Sequence, residues 1–363
     1  MKRKISNRAE LPRLGRRSAE LADIVRRSIT RGEVSEGGFL SSEREFAAVH
    51  GVNKKTVRRA LKALENEGLV EAVDRHGYRV AVGVDDRDRG CPIAYIPAEQ
   101  SDVSKWSLPA SLLVPALQEA ANRRGLSLLA VGARDRTSKA ILAEIRRMRV
   151  SGIVIDSDEP ELLQEVRDSG ITTVMVDQWV EDGFCDSVMQ NAQMGGMQAV
   201  RYLVGQGCRR IAWLGSSEPS IHRVDRYSGF VSGMIAAGLP IRPEDILGCE
   251  ADEAVSVARQ LLSRKDRPDG IVTSWQHATK AVVDAARVLS LKPGKDLHAV
   301  GWCPEEAFST FYRNQFAGGP VPPAVTWSAQ VMAEVAMARL AERRKNPQYP
   351  PMRLLIPTKL MCE

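Results

Sequence analysis

The spacing of apolar residues changes character along the chain. In residues 18–31 (SAELADIVRRSITR), Leu21, Ile24, Val25, Ser28 and Ile29 share one face at helical period, so a helix is predicted there. Residues 32–38 (GEVSEGG) break it. A second short helix is predicted from Ser42 to about residue 50. Ser42 suits an N-cap, Glu43 and Glu45 suit the positive end of the dipole, and Phe46, Ala47 and Val49 supply an apolar side. Gly51 marks a tight turn, and Asn53 is placed to cap a third helix running to about residue 67. Val57, Ala60, Leu61 and Leu64 recur in it at i, i+3, i+4 and i+7. After Gly68, residues 69–73 and 78–82 read as short strands around the turn Asp74-Arg75-His76-Gly77.

From residue 92 onward, short apolar runs alternate with amphipathic stretches. Strands are predicted at 93–96, 127–131, 152–155, 173–176, 210–214, 269–273 and 297–301. Helices are predicted near 108–124, 137–149, 160–169, 192–206, 224–237, 252–264 and 276–290. Such alternation calls for parallel sheets with helices on both faces. There are too many units for one small sheet, so two lobes are expected, with ligands outside the carboxyl ends of the strands. The expected fold class is α/β: a winged helix-turn-helix over residues 1–83, a polar linker over 84–91 (VDDRDRGC) and a two-lobed domain over 92–363.

The third helix has a second, basic face. Lys54, Lys55, Arg58, Arg59 and Lys62 surround its apolar stripe. Two helices joined by a short Gly-containing turn form a helix-turn-helix, whose second helix enters the major groove amino-terminus first. Arg and Lys at that end read guanine edges or hold phosphates. The hairpin after it makes a wing. Arg75 and His76 at its tip would reach a minor groove, and Gly77 would let the backbone approach closely.

Charge supports this division. Residues 1–83 carry 18 Lys and Arg against 11 Asp and Glu, whereas residues 84–363 carry 33 against 34. The chain's net charge of +6 therefore sits in the first quarter, where a polyanion-binding module needs it. A length of 363 residues, with 44% hydrophobic and 26% charged positions, suits two or three globular domains. No run approaches eighteen uncharged apolar residues, and no apolar segment follows the basic start, so neither a membrane span nor a secretory signal is expected. The six cysteines form no CxxC, which fits a reducing cytoplasm and offers no metal site.

Residues 18–82 resemble the winged helix of the GntR family of bacterial repressors. The family pattern G-x-x-LPSER-x-LA, GVSR-x-TVR-x-AL-x-x-L, GLV and a wing with HG meets GGFLSSEREFAAVHGVNKKTVRRALKALENEGLVEAVDRHGYRV here. The resemblance implies DNA contacts from Arg44 and Arg58, recognition-helix contacts from Lys54 and Thr56, and a wing tip at His76-Gly77. Lys55 and Arg59 join them from the same outward face. Ser41 replaces the family's Pro, which should loosen the start of the second helix, and Asn53-Lys54-Lys55 replaces Ser-Arg-Thr.

Chemistry in the second region is defined mainly by what is missing. There is no Walker A motif, HExxH, GxSxG elbow or GxGxxG opening a helix after a strand. Gly195-Gly196 is a weak phosphate signal at most. No nucleophile–base pair supports an enzyme with a DNA-binding head, and a transport solute-binding protein would need an export signal and no such head. No cofactor is expected.

Residues 92–358 resemble the effector domain of the LacI family, which shares the periplasmic sugar-binding fold. QNAQMGGMQAVRYLVGQGCRRIAWLG at 190–215 is similar to DN-x-x-GG-x-x-A-x-x-x-L-x-x-x-G-H-x-x-I-x-x-I-x-G, and RYSGFVSGMIAAGL at 226–239 to R-x-x-GF-x-x-A-x-x-x-x-G. AVTW followed by a helix at 328–344 resembles the last crossover between lobes. The resemblance implies three strands crossing between two lobes that close on a small molecule, and an effector contact from Arg226. Departures are specific: Gln190 stands where Asp is usual, Ser274-Trp275 where Asn-Asp is common, and Trp302-Cys303 where Asp follows an aromatic residue.

At predicted strand ends lie Gln100, Asp156, Asp177, Trp179, Ser274, Trp275, Gln276, Trp302 and Trp327. Indole faces stack on a pyranose ring, and amides and hydroxyls bond its rim, although the same tryptophans equally suit lobe packing. Cys303 is the one cysteine at a predicted site, and with no basic neighbour in sequence to lower its pKa it is expected to be structural. The chain is thus expected to be a cytoplasmic transcription regulator, homodimeric on a palindromic double-stranded operator and answering to a small-molecule effector of the carbohydrate class.

Overall fold

A computed structural model describes residues 15–30, 34, 38–66, 69–73, 77–80, 91–97, 108–132, 136–181, 183–217 and 220–362. The chain forms two compact units that divide between Cys91 and Pro92, with Asn122–Ser127 grouped in the first. Most of the expected linker, residues 84–90, lies outside the described residues.

The first unit contains α1 (Arg16–Thr30), α2 (Glu43–Val49), α3 (Lys54–Asn66), β1 (Val70–Val73) and β2 (Gly77–Val80). Its core joins Leu21, Ala22 and Val25 of α1 to Val57, Ala60, Leu61 and Leu64 of α3, closed by Leu40, Leu69, Val70 and Val80. The apolar faces differ from expectation at Ile24 and Val49, which are exposed. Ser42 Oγ accepts from the Glu45 N–H, and the Glu45 carboxylate accepts from the Ser42 N–H at 2.8 Å. That reciprocal cap holds the start of α2 without the family's proline. Asn53 Oδ1 caps α3 by accepting from the Thr56 N–H at 2.8 Å. β1 and β2 pair antiparallel, Val70 with Val80 and Val73 with Gly77. Phe39 bridges Arg79 and adds a third extended segment.

In the second unit, lobe 1 begins with β3 (Ile93–Ile96), α4 (Leu108–Asn122), β4 (Leu128–Ala130), α5 (Ser138–Arg147), β5 (Gly152–Ile155), α6 (Pro160–Ser169), β6 (Thr173–Val176) and β7 (Asp186–Gln190). The chain then builds lobe 2 from α7 (Ala192–Gly205), β8 (Ile211–Ser216), α8 (Ile221–Ala236), β9 (Ile246–Cys249), α9 (Ala254–Leu262), β10 (Gly270–Thr273), α10 (Gln276–Val288), β11 (His298–Pro304), the single turn α11 (Glu305–Ala307) and β12 (Ala324–Trp327). It returns to lobe 1 with α12 (Ala329–Lys345) and β13 (Arg353–Ile356), and ends in lobe 2 with β14 (Lys359–Met361). The strand orders are β13-β7-β6-β5-β3-β4 and β14-β12-β11-β10-β8-β9. Every pairing is parallel except β12 with β14. The chain therefore crosses between lobes three times, after Gln190, after Trp327 and after Ile356.

Two contacts hold this framework. The fully buried Asp186 carboxylate accepts from Arg339 Nε at 2.6 Å, Arg343 Nη2 at 2.5 Å and the Met352 N–H at 2.7 Å, which ties α12 and β13 to β7. Burial pushes that carboxyl up, but the bonds from Arg343, Met352 and Arg339 outweigh it and hold it below the ordinary range. In lobe 2, α7 and α8 approach through glycines. A Cβ on Gly196 would lie 2.6 Å from the Phe230 nitrogen, and one on Gly229 would overlap the Gln193 carbonyl. Gly195-Gly196 is thus a packing device: a Cβ on Gly195 would lie 2.5 Å from the Trp302 ring.

Candidate functional site

The outward face of α3 presents Lys54, Lys55, Arg58 and Arg59, all exposed, and α2 presents exposed Arg44. Thr56 is partly buried, and its hydroxyl donates to Asn53 Oδ1 at 2.9 Å, so it serves the helix cap. Arg58 is oriented by α2: Nε and Nη2 donate to the two Glu43 carboxylate oxygens at 3.0 and 2.9 Å. Fifteen residues separate the partners, so helical periodicity within one element gave no sign of the pair. Gly77 opens β2 with φ +89°, a conformation that favours glycine. Arg75 and His76 lie outside the described residues.

In the second unit, polar side chains from both lobes meet at the carboxyl ends of the strands. Asp177 follows β6 with φ +52°, an uncommon backbone state that Asp tolerates. Gln190 ends β7, Arg226 lies in the second turn of α8, Ser274 follows β10, and Trp302 lies in β11. Gln190 Nε2 donates to Asp177 Oδ1 at 3.0 Å and Oδ2 at 3.2 Å. Gln190 Oε1 accepts from Trp302 Nε1 at 2.8 Å and from Arg226 Nη2 at 3.4 Å. Arg226 Nη1 donates to the Ser274 carbonyl, and the guanidinium stacks 4.8 Å from the Trp302 ring centre.

The electrostatics of this cluster follow from its burial. Among the described residues, Arg226 Nε is buried without a hydrogen-bond partner. Desolvation lowers the Arg226 pKa to about 10, against the opposing pull of Asp177 and Asp225. His222 lies one turn before Arg226 on α8, with Nε2 3.9 Å from Asp177 Oδ2. Burial lowers its pKa, so neutral imidazole is favoured at pH 7. Asp225 is raised by burial, and Arg353 stacks 3.8 Å from the Trp179 ring centre.

Of the residues named from sequence, Asp177, Arg226, Ser274 and Trp302 come together around Gln190. Asp156 follows β5, at the same end of the lobe 1 sheet as Asp177. Trp275 packs against the lobe 2 core, Gln276 begins α10, and Trp327 ends β12 with 2% exposure. Gln100 lies outside the described residues. His222, Asp225 and Arg353 were not singled out from sequence. The i, i+4 spacing of His222 and Arg226 was the available signal for the first.

A family model described as "Periplasmic binding proteins and sugar binding domain of LacI family" matches residues 110–297. The chain belongs to this family. A second model, for bacterial regulatory proteins of the gntR family, matches residues 17–80. The HTH-type transcriptional repressor PurR of Pectobacterium carotovorum subsp. carotovorum (strain PC1) is 25% identical over 198 residues, 52% of this chain. The match spans 58% of that repressor, less than two thirds of its length. PurR of Yersinia pestis bv. Antiqua (strain Antiqua) is 24% identical over 257 residues, 69% of this chain and 73% of the repressor. The crystal structure of a regulatory protein of LacI family from Chloroflexus aggregans superposes with TM-score 0.64 at 22% identity, covering 74% of this chain and 95% of that one.

The gntR-type match falls in the first structural unit and the LacI-type match in the second, apart from Asn122–Ser127. Within the LacI-type domain, Cys303 is 2% exposed, and burial pushes its thiol up to about 12. A thiol held protonated in this way is a poor redox nucleophile. Among the described residues, no helix is long and apolar enough to cross a membrane.

Proposed function

We propose that this protein is a cytoplasmic transcriptional repressor that binds a palindromic operator as a homodimer and responds to a small molecule between the two lobes. The amino-terminus of α3 enters the major groove, with Lys54, Lys55, Arg58 and Arg59 serving bases and phosphates and Arg44 holding the backbone. The wing, with Arg75, His76 and Gly77, serves the minor groove.

The effector is carbohydrate or carbohydrate-derived, a reading supported by the sugar-binding family description. Arg226 is its main polar contact, with Asp156, Ser274, Trp275, Gln276, Trp302, Trp327 and Gln100 contributing from neighbouring strand ends. The observation that carries the reading is the position of Arg226: a buried guanidinium between the lobes whose Nε has no hydrogen-bond partner among the described residues. A ligand oxygen there relieves an unpaired buried donor. Ligand binding acts by differential affinity, favouring the lobe arrangement that it fits and with it one spacing of the two DNA heads.

The test is selection of genomic fragments by the purified protein, followed by titration of the complex with a panel of sugars and sugar derivatives. A recovered palindrome and a dose-dependent change in its occupancy support the reading. Sequence-blind binding that salt erases, unchanged across the panel, removes it.

A further inference from the structure

Gln190 stands at the first crossing between lobes, with 1% exposure. Its hydrogen bonds run in both directions. Toward lobe 1 it donates to Asp177, a carboxylate that only accepts when ionised. Toward lobe 2 its oxygen accepts from Trp302 Nε1 and Arg226 Nη2, groups that only donate. These neighbours also settle which way the amide points. Both lone pairs of Oε1 are taken, and Nε2 is engaged by both Asp177 oxygens. Oε1 has no lone pair left for a ligand, whereas the two Asp177 oxygens share one Nε2 hydrogen and leave the other directed away from the carboxylate.

We infer that Gln190 is a positioning residue: its amide ties Asp177 of lobe 1 to Trp302 and Arg226 of lobe 2, and so sets the closed lobe arrangement in which Arg226 meets the effector. The inference rests on the proposed effector cleft but on no particular ligand. An amide is the side chain that suits both sides. A leucine of similar shape bonds to neither. A glutamate accepts from Trp302 and Arg226 but sets a second carboxylate about 3 Å from Asp177, and two such groups do not both ionise readily. Gln190→Glu should therefore make closure depend on proton uptake.

Among the described residues, the charged or titratable groups nearest the introduced carboxyl are Asp177, Asp225, Arg226 and His222, with Asp158 acting on His222 and Arg353 on Asp225. Asp177, at the end of β6, raises its pKa. Asp225, on α8, is a carboxyl that also acts on Arg226 and works in the same sense. Arg226, on α8, lowers it, and His222, on α8, adds positive charge only when protonated. The wild-type protein contains the same His222, so a wild-type pH series removes that contribution.

The experiment uses full-length protein with neither DNA nor effector. Trp302 reports directly, because its indole is buried and bonded to Gln190. Its share of the emission is isolated by subtracting the matching Trp302→Phe protein, and its exposure is read by acrylamide quenching at pH 5.5 and pH 8. Wild-type Trp302 should stay protected at both values. Gln190→Leu should raise quenching several-fold at both. Gln190→Glu should be quenched at pH 8 and return to wild-type protection at pH 5.5, a reversal that a packing defect would not give. Circular dichroism checks folding, and if Gln190→Leu fails to fold, the pH reversal in Gln190→Glu carries the test. Equal protection of Trp302 in wild type and Gln190→Glu at both values, or equal quenching of the variant at both, overturns the inference. Because neither operator nor effector is used, that failure is separate from failure of the regulator reading.

Discussion

Arg58 of the recognition helix donates both arms of its guanidinium fork to Glu43, at 3.0 and 2.9 Å. The Arg58 side chain remains 71% exposed, so the pair orients the fork without hiding it. Arg58→Ala is expected to weaken operator binding by about 1–3 kcal/mol, roughly five- to 150-fold, while leaving the fold intact. Glu43→Gln removes the competing anion. It should strengthen sequence-blind binding and steepen the salt dependence by about one ion. Fluorescence anisotropy on operator and scrambled DNA across a salt series checks both, and an unchanged operator affinity in Arg58→Ala would take Arg58 off the contact list.

Arg226 is buried between the lobes, away from the DNA-reading residues in sequence and in structural unit. Arg226→Ala should leave operator affinity in the absence of effector within about two-fold, since no base or phosphate contact is lost. It should also abolish the response to effector. Electrophoretic mobility shifts over an effector titration would decide. A midpoint identical to wild type would displace the proposed cleft.

Asp186 links stability to pH. Its folded-state carboxyl lies below the ordinary value of 3.8, so its stabilising contribution is complete above that value and is lost as pH falls through the folded pKa. Asp186→Asn takes from Arg343 the carboxylate it bonds and leaves Arg339 with Glu342 alone, and should lower stability by about 3 kcal/mol at pH 7. The difference from wild type should shrink as pH falls toward 3. Urea unfolding at pH 7, 5 and 3 measures it, and a pH-independent gap would count against the argument.

The α7–α8 contact tolerates no side chain at Gly229, where a Cβ would overlap the Gln193 carbonyl. Gly229→Ala should cost about 1–3 kcal/mol through forced separation of the helices. Alanine at Gly205, where a Cβ meets nothing within 4 Å, is the control and should be nearly neutral. Equal thermal midpoints for the two variants would mean that α8 can shift freely.

Much of the architecture was legible because it rests on local pattern. The stripe Val57-Ala60-Leu61-Leu64 is fully interior in α3, and the apolar runs at 93–96, 152–155 and 173–176 are fully buried strands with those bounds. Strands β7, β9, β13 and β14 were not predicted. β7 (DSVMQ) carries polar residues at buried positions, of which Asp186 is paired by Arg339 and Gln190 by Trp302. β9 and β14 are edge strands with mixed exposure, so alternation in them is weak. Ile24 and Val49 suited the apolar faces by spacing, yet their side of the helices meets no core.

The candidate site divides along the same line. By itself the sequence determined the basic face of α3, the caps at Ser42 and Asn53, the two-domain order and the place of Arg226 in a recognisable pattern. Each depends on residues within a few turns of one another, or on a motif whose spacing is preserved. Only the tertiary structure decided that Glu43 holds Arg58, that Arg226 covers the Trp302 ring, and that Gln190 joins Asp177 to Trp302. Trp302 lies 112 positions beyond Gln190, and their hydrogen bond exists because two parallel sheets bring their carboxyl ends together. Periodicity reports which face of an element is buried, whereas the partner across a lobe boundary is set by how the elements stack.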